Sequence, residues 1–192
     1  MDHGEPETAQ SRLQPLTPPF SEQVASLLAR YPSQGGYLLA LFRVFANSPR
    51  FLAKGVTNLL DDDSPLSLRT RELVILRVTA NRDCEYEWGV HVAVFARRAG
   101  LSDAEVRATR LGSSADPGWS EEDRLAIRVV DELCADARIS DETARDVAAL
   151  WSAEQQLEVL ALCGNYQTVC FVANSAQLPP EPFAARFPRT DS

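Results

Sequence analysis

Histidine is nearly absent from this chain. Only two of 192 residues are histidine, and one of them, His3, lies at the extreme N-terminus. Lysine is rarer: Lys54 stands alone among many arginines, which reads as base-composition bias and points to no function. An excess of positive charge is also missing. The formal net charge is −8, whereas phosphate recognition needs a clustered basic surface, so nucleic acid is not an expected partner. No apolar run reaches the roughly 18–20 residues that a membrane span requires, and the N-terminal "MDHGEPETAQSRLQPL" has no apolar core of the signal-peptide kind. Cysteines number four, too few and too scattered for a disulfide scaffold. Cys84, Cys134, Cys163 and Cys170 read as free thiols of a cytoplasmic protein.

What is present is the composition of an ordinary globular core, 45% apolar. Strand-like alternation is scarce and helical patterning is common, so the expected fold class is all-α. The expected organisation is a flexible N-terminal arm over 1–19, one helical domain over 20–178, and an extended C-terminal arm over 179–192, "LPPEPFAARFPRTDS" being too proline-rich to be helical throughout. That arm either lies on the domain or a neighbouring subunit, or is solvated. Caps set the helix starts. Ser21 opens "EQVASLL". A break at Ser48-Pro49 divides two helices, the second running to about residue 60. Ser67 caps a helix ending near Asn81, and the next runs from about Cys84 to Gly100. "SDAE" at 102–105 and "SAEQ" at 152–155 are capping boxes, Ser120 and Ser140 cap the helices between, and the last helix spans about 153–176.

The informative stretch is "RELVILRVTANRDCEYEWGVHVAVFARRAG", residues 71–100. Glu87 and His91 are four apart and share a helix face, and Cys84 lies on the same side. Glu72 sits on the preceding helix, on a stripe apolar enough to be buried, where a carboxylate needs a partner. If the two helices form a hairpin, Glu72 reaches His91 or Cys84. A carboxylate beside an imidazole holds its tautomer and raises its pKa. Two carboxylates around one imidazole supply a proton donor and acceptor, and a thiol beside such a relay becomes a candidate nucleophile. Cys84, Glu87 and His91 do not have a standard zinc spacing, so no metal is expected. On the last helix, Cys163, Tyr166 or Gln167, Cys170 and Asn174 form one partly polar stripe. This is either interhelical hydrogen bonding or a pocket wall in which Tyr166 or Asn174 holds a substrate oxygen. Trp88 adjoins Glu87 and could line the same cavity, or equally be core.

The segment "SPLSLRTRELVILRVTANRDCEYEWGVHVAVFARRAGLSDAEV" resembles the core of the carboxymuconolactone decarboxylase and alkylhydroperoxidase D superfamily: a Glu on one helix, then Cys-x-x-Cys-x-x-x-His opening the next, then "GLSxxEV". The resemblance implies a helical bundle of the alkylhydroperoxidase D-like type that assembles as homotrimers or homohexamers (a dimer being an alternative), with the active site near subunit contacts. By position Glu72 matches the relay glutamate, Cys84 the first cysteine and His91 the histidine. Glu87 departs from the pattern. It stands where peroxidase members carry the cysteine that attacks peroxide, and a carboxylate cannot pass through a sulfenic acid to a disulfide.

The leading expectation is therefore an enzyme of lyase or isomerase type, working by acid/base catalysis on a small organic substrate without a cofactor. Decarboxylation, isomerisation, hydration and cyclisation all fit. His91 would move the proton, Glu87 would be its acid/base partner and Glu72 would orient the ring. The alternatives are a thiol peroxidase using Cys84, alone or with Cys163 or Cys170 resolving, and a non-catalytic oligomeric binding protein.

Overall fold

The caps foreseen in the sequence start most of the helices. A computed structural model describes residues 13–189 apart from 34, 57 and 58, so the expected arm residues 1–12 and 190–192 lie outside the described residues. Among the described residues there is no β-strand. The chain divides into two compact units.

The first unit comprises residues up to Gly55 together with 174–178. It holds α1 (Glu22–Leu28), α2 (Ala40–Phe45) and α3 (Pro49–Lys54). Ser21 caps α1, and Ser48 caps α3 through the Phe51 amide. The helix expected to reach residue 60 stops at Lys54, because Gly55 takes φ 64°, a left-handed conformation. Its core is aromatic: Tyr31 packs on Phe42 at 4.7 Å, and Phe45 on Phe51 at 5.0 Å. Residues 14–16 of the expected arm are tied to α2, with the Leu16 amide donating to the Arg43 carbonyl at 3.1 Å and the Asn47 side chain donating to the Gln14 carbonyl at 2.8 Å.

The second unit is built around α4 (Leu68–Asn81), with Ser67 capping it through the Thr70 amide. Every residue from Thr70 to Ala80 is buried, as expected of a helix that is apolar nearly all round. Against it pack α5 (Glu85–His91), a π-helical segment (Val92–Ala96), α6 (Asp103–Leu111) and α7 (Glu121–Asp136); α8 (Asp141–Leu150) packs on α7, and the unit also holds most of α9 (Ala153–Ser175). The single helix expected from 84 to 100 is thus α5 plus one wide turn, which begins immediately after His91. Such π turns occur often at functional sites. The boxes at Ser102 and Ser152 form as expected, and Ser120 makes a third with Asp123.

Arginines join α4 to its neighbours. Arg77 makes two parallel bonds to Asp131, at 2.6 and 2.8 Å, and donates to the Thr109 and Gly112 carbonyls. Arg69 grips Asp123 in the same forked way, at 3.0 and 2.9 Å, and also bonds Glu105. Burial pushes the Asp123 carboxyl up, but the Arg69 and Ser120 hydrogen bonds outweigh it and hold its pKa below the ordinary value.

The C-terminal arm belongs to this unit, and it lies on α5. The Ala185 amide donates to the Gly89 carbonyl at 3.0 Å, and the Phe187 amide to Glu85 at 2.8 Å. The Tyr86 hydroxyl donates to buried Glu181 at 2.5 Å. The Phe187 ring packs 5.2 Å from that of Trp88, with Arg110 over its face. Of the two expectations for the arm, docked or solvated, the described residues are docked.

Candidate active site

α4 and α5 form a hairpin because the chain turns tightly at Asn81–Asp83. Asp83 takes φ 51°, and the Cys84 amide returns to the Thr79 carbonyl at 2.9 Å. The hairpin brings Glu72 to His91. Nδ1 of His91 lies 2.8 Å from Glu72 Oε2. Its Nε2 lies 3.0 Å from the Tyr166 hydroxyl, delivered by α9, and 3.4 Å from Glu87 Oε1, one turn back on α5. The Tyr166 ring meets the imidazole edge-on at 84°, and Phe95 lies against it at 5.2 Å. All four polar residues are buried: Glu72 is 1% exposed, His91 3%, Glu87 6% and Tyr166 8%. Glu87 and His91 are therefore not a helix-surface pair.

Burial alone would drive the imidazole toward its neutral form. The charges and hydrogen bonds of Glu72 and Glu87 outweigh it and raise the His91 pKa to about 10. The ring is thus an imidazolium at neutral pH, with Nδ1–H donating to Glu72 and Nε2–H directed at Tyr166 and Glu87. The Tyr166 phenol moves the other way from an acid: burial first, then the charges of Glu87 and Glu72, keep it protonated well above its usual range. Its oxygen accepts from the ring, so its own proton is left to donate. The second oxygen of Glu87, Oε2, is buried and has no hydrogen-bond partner. In a dry site such an atom costs free energy unless a ligand completes it.

The other expected residues divide. Cys84 is fully buried at the N-cap of α5. Its partner is Cys170 of α9, whose thiol is pushed up first by the hydrogen bond with Cys84 and then by burial. Burial likewise raises the Cys163 thiol. Trp88, offered as a wall of the cavity, is a core residue: its indole N–H donates to Thr109 at 3.1 Å and its ring packs among Leu73, Leu76 and Ile127. Gln167 accepts from Arg82 at 2.9 Å, the interhelical role that the stripe allowed. Asn174 is exposed at the end of α9, two turns beyond Tyr166. Among the described residues no three His, Cys, Asp or Glu side chains are arranged to hold a metal ion. Two buried arginines of α4, Arg71 and Arg77, were not singled out in the sequence, where their signal was a charge inside an apolar helix.

Residues 48–132 match the sequence model of the carboxymuconolactone decarboxylase family. That segment, rather less than half of the chain, carries α4, α5 and the residues Glu72, Glu87 and His91, and it is what the chain has in common with that family. The fold of the chain is shared with a crystal structure of an uncharacterised peroxidase-related protein from Silicibacter sp. TM1040 (TM-score 0.75, 14% identity, 95% of this chain and 100% of that one). It is also similar to a protein of unknown function from Agrobacterium tumefaciens, a putative antioxidant defence protein AhpD (TM-score 0.56, 20% identity, 61% of this chain and 80% of that one). At these identities the two structures speak for the fold. No curated protein matches. Within the matched segment a carboxylate, Glu87, stands one helical turn before His91.

Proposed function

We propose that the chain is a cofactor-independent acid/base enzyme acting on a small organic substrate with an acidic C–H. The observation that carries this reading is the buried Glu72–His91–Tyr166/Glu87 constellation with Glu87 Oε2 left unpaired. Glu87 Oε2 takes the proton from carbon. The electron pair moves onto the adjacent carbonyl oxygen, which is stabilised by the Tyr166 O–H and the positive charge of His91. Glu72 fixes the ring. The enolate formed in this way serves isomerisation or ring closure; in decarboxylation an enolate held by the same groups forms instead by C–C cleavage with loss of CO2, and its carbon then takes up a proton.

A second reading, a thiol peroxidase, is favoured by the Cys84–Cys170 contact. Against it, Cys170 is held as a neutral thiol, and a thiol is a poor nucleophile. One pair of assays separates the two. In D2O, proton NMR should show enzyme-dependent exchange of the α-protons of small keto acids, lost in Glu87→Gln. Consumption of cumene hydroperoxide with a dithiol reductant should stay at background. Robust peroxide turnover that disappears in Cys84→Ser would sink the acid/base reading.

We also propose a cytoplasmic homo-oligomer, a trimer or hexamer before a dimer. The four free thiols fit a reducing compartment, and no helix of the described residues is long and apolar enough to cross a membrane. On α9, Leu157, Leu160 and Phe171 are 68%, 44% and 59% exposed, an apolar face that a second copy would cover. Light scattering at micromolar concentration should give a multiple of the 21.2 kDa chain mass; a monodisperse monomer counts against assembly.

A further inference from the structure

A cavity of about 390 Å³ lies between α7, α8 and the loop that follows α6. Small-molecule pockets run from roughly 300 to 1,000 Å³, so this one has room for a compact ligand. None of Glu72, Glu87, His91 and Tyr166 lines it. Its α7 wall is one helical stripe: Glu121, Arg124, Leu125 and Arg128 stand at i, i+3, i+4 and i+7. The α8 wall repeats the spacing with Asp146, Ala149 and Leu150, and Ser114 comes from the loop.

The charges of the cavity balance, but only half of them are paired. Arg128 reaches across to Asp146 with Nη2. Its Nε is buried and has no hydrogen-bond partner. Arg124 donates from Nε to the Trp119 carbonyl at 3.1 Å, which leaves its two Nη groups unpartnered among the described residues. The Glu121 carboxylate likewise has no partner among them. Arg69 and Arg77 of α4 differ, since each grips a carboxylate in a fork. A buried N–H without an acceptor costs free energy that a ligand oxygen would offset.

This set of groups selects the ligand. A plain anion would meet Glu121 and Asp146 as well as the arginines, and a plain cation would meet both arginines. A zwitterion satisfies the two free charges together. Glu121 and Arg124 are one turn apart on α7, about 5–6 Å between their Cβ atoms, so the two charges of the ligand must also lie close together, as they do when both groups sit on one carbon. Leu125, Ala149 and Leu150 supply an apolar wall beside them. We infer that the α7–α8 cavity is a ligand site separate from the relay, and that it takes a free aliphatic α-amino acid. The carboxylate sits on Arg124 and the Arg128 Nε–H, the ammonium on Glu121, and the side chain against the apolar wall. A guanidinium suits the carboxylate through paired N–H donors.

The test reads binding alone, so it stands apart from whether the chain catalyses proton exchange. L-Leucine is titrated into the full chain by ligand-observed NMR, beside N-acetyl-L-leucine, L-leucine methyl ester, glycine and 6-aminohexanoate. The first two probes each lose one charge, glycine loses the side chain, and the last holds its charges far apart. Leucine should bind in the millimolar range or tighter, and about fivefold or more better than each of the four. Arg124→Gln should bring leucine down to the level of its methyl ester, and Glu121→Gln down to that of its N-acetyl derivative. Both residues are exposed, so both variants should keep the wild-type Tm. No binding of leucine, equal affinity for leucine and any of the four probes, or leucine binding undiminished in Arg124→Gln or in Glu121→Gln overturns the inference.

Discussion

Alanine at position 91 is expected to lower turnover of the eventual substrate by roughly 10²–10⁴-fold, the usual contribution of a positioned acid/base group. It removes the positive charge between Glu72 and Glu87 and the donor that orients Tyr166. The loss should fall on kcat, because the ring acts on charge that develops during reaction. The same residue leaves a mark on stability. The folded state holds the His91 proton more tightly than the unfolded chain does, since its pKa is raised from 6.5 to about 10. This stabilisation is complete below pH 6.5 and is lost as the pH climbs through about 10. Urea midpoints for the wild type should therefore fall across that window, and His91→Gln should flatten the fall. Turnover within a few-fold of wild type in His91→Ala, or the same pH slope in both proteins, would remove the imidazolium from the mechanism.

Gly89→Ala is expected to be among the most damaging single methyl groups that the chain could accept. By helix propensity alone it should help, by about 1 kcal/mol. In the folded chain the new Cβ would lie 2.1 Å from the Ala185 carbonyl oxygen and 3.2 Å from Ala184 Cβ. The obstacle is backbone, which cannot swing aside as a side-chain end can. The arm must then move, and with it go the Ala185–Gly89 hydrogen bond, the Tyr86–Glu181 contact and the seat of Phe187 between Trp88 and Arg110. Overpacking of this kind costs ~1–3 kcal/mol, or several degrees in Tm for a chain of this length. Trypsin should cut faster after Arg186. A Tm equal to or above that of the wild type, with Arg186 no more accessible, would show that the arm does not bear on α5.

The helix starts were legible because capping is local. Ser21, Ser67, Ser102, Ser120, Ser140 and Ser152 each meet an amide within three residues, so a short window of sequence contains both partners. The i, i+4 relation of Glu87 to His91 was legible for the same reason. Helix ends were harder. The stop at Lys54 depends on Gly55 in a left-handed conformation, and the π turn after His91 leaves no sign in the residue pattern that a regular helix would not also give.

The sequence by itself determined the all-helical class, the α4–α5 hairpin and the membership of Glu72, Glu87 and His91 in one constellation. Each of these follows from spacing along one helix or across one short turn. Only the tertiary structure decided that Tyr166 closes the ring on its Nε2 side, that Trp88 is core, that Cys84 faces Cys170, that α8 walls a cavity over the charged stripe of α7, and that the C-terminal arm seats on Gly89. The physical reason is common to all five. Each depends on which residue of a distant segment arrives at a given face, and whether a buried polar atom is satisfied is set by that arrival and not by its neighbours in sequence.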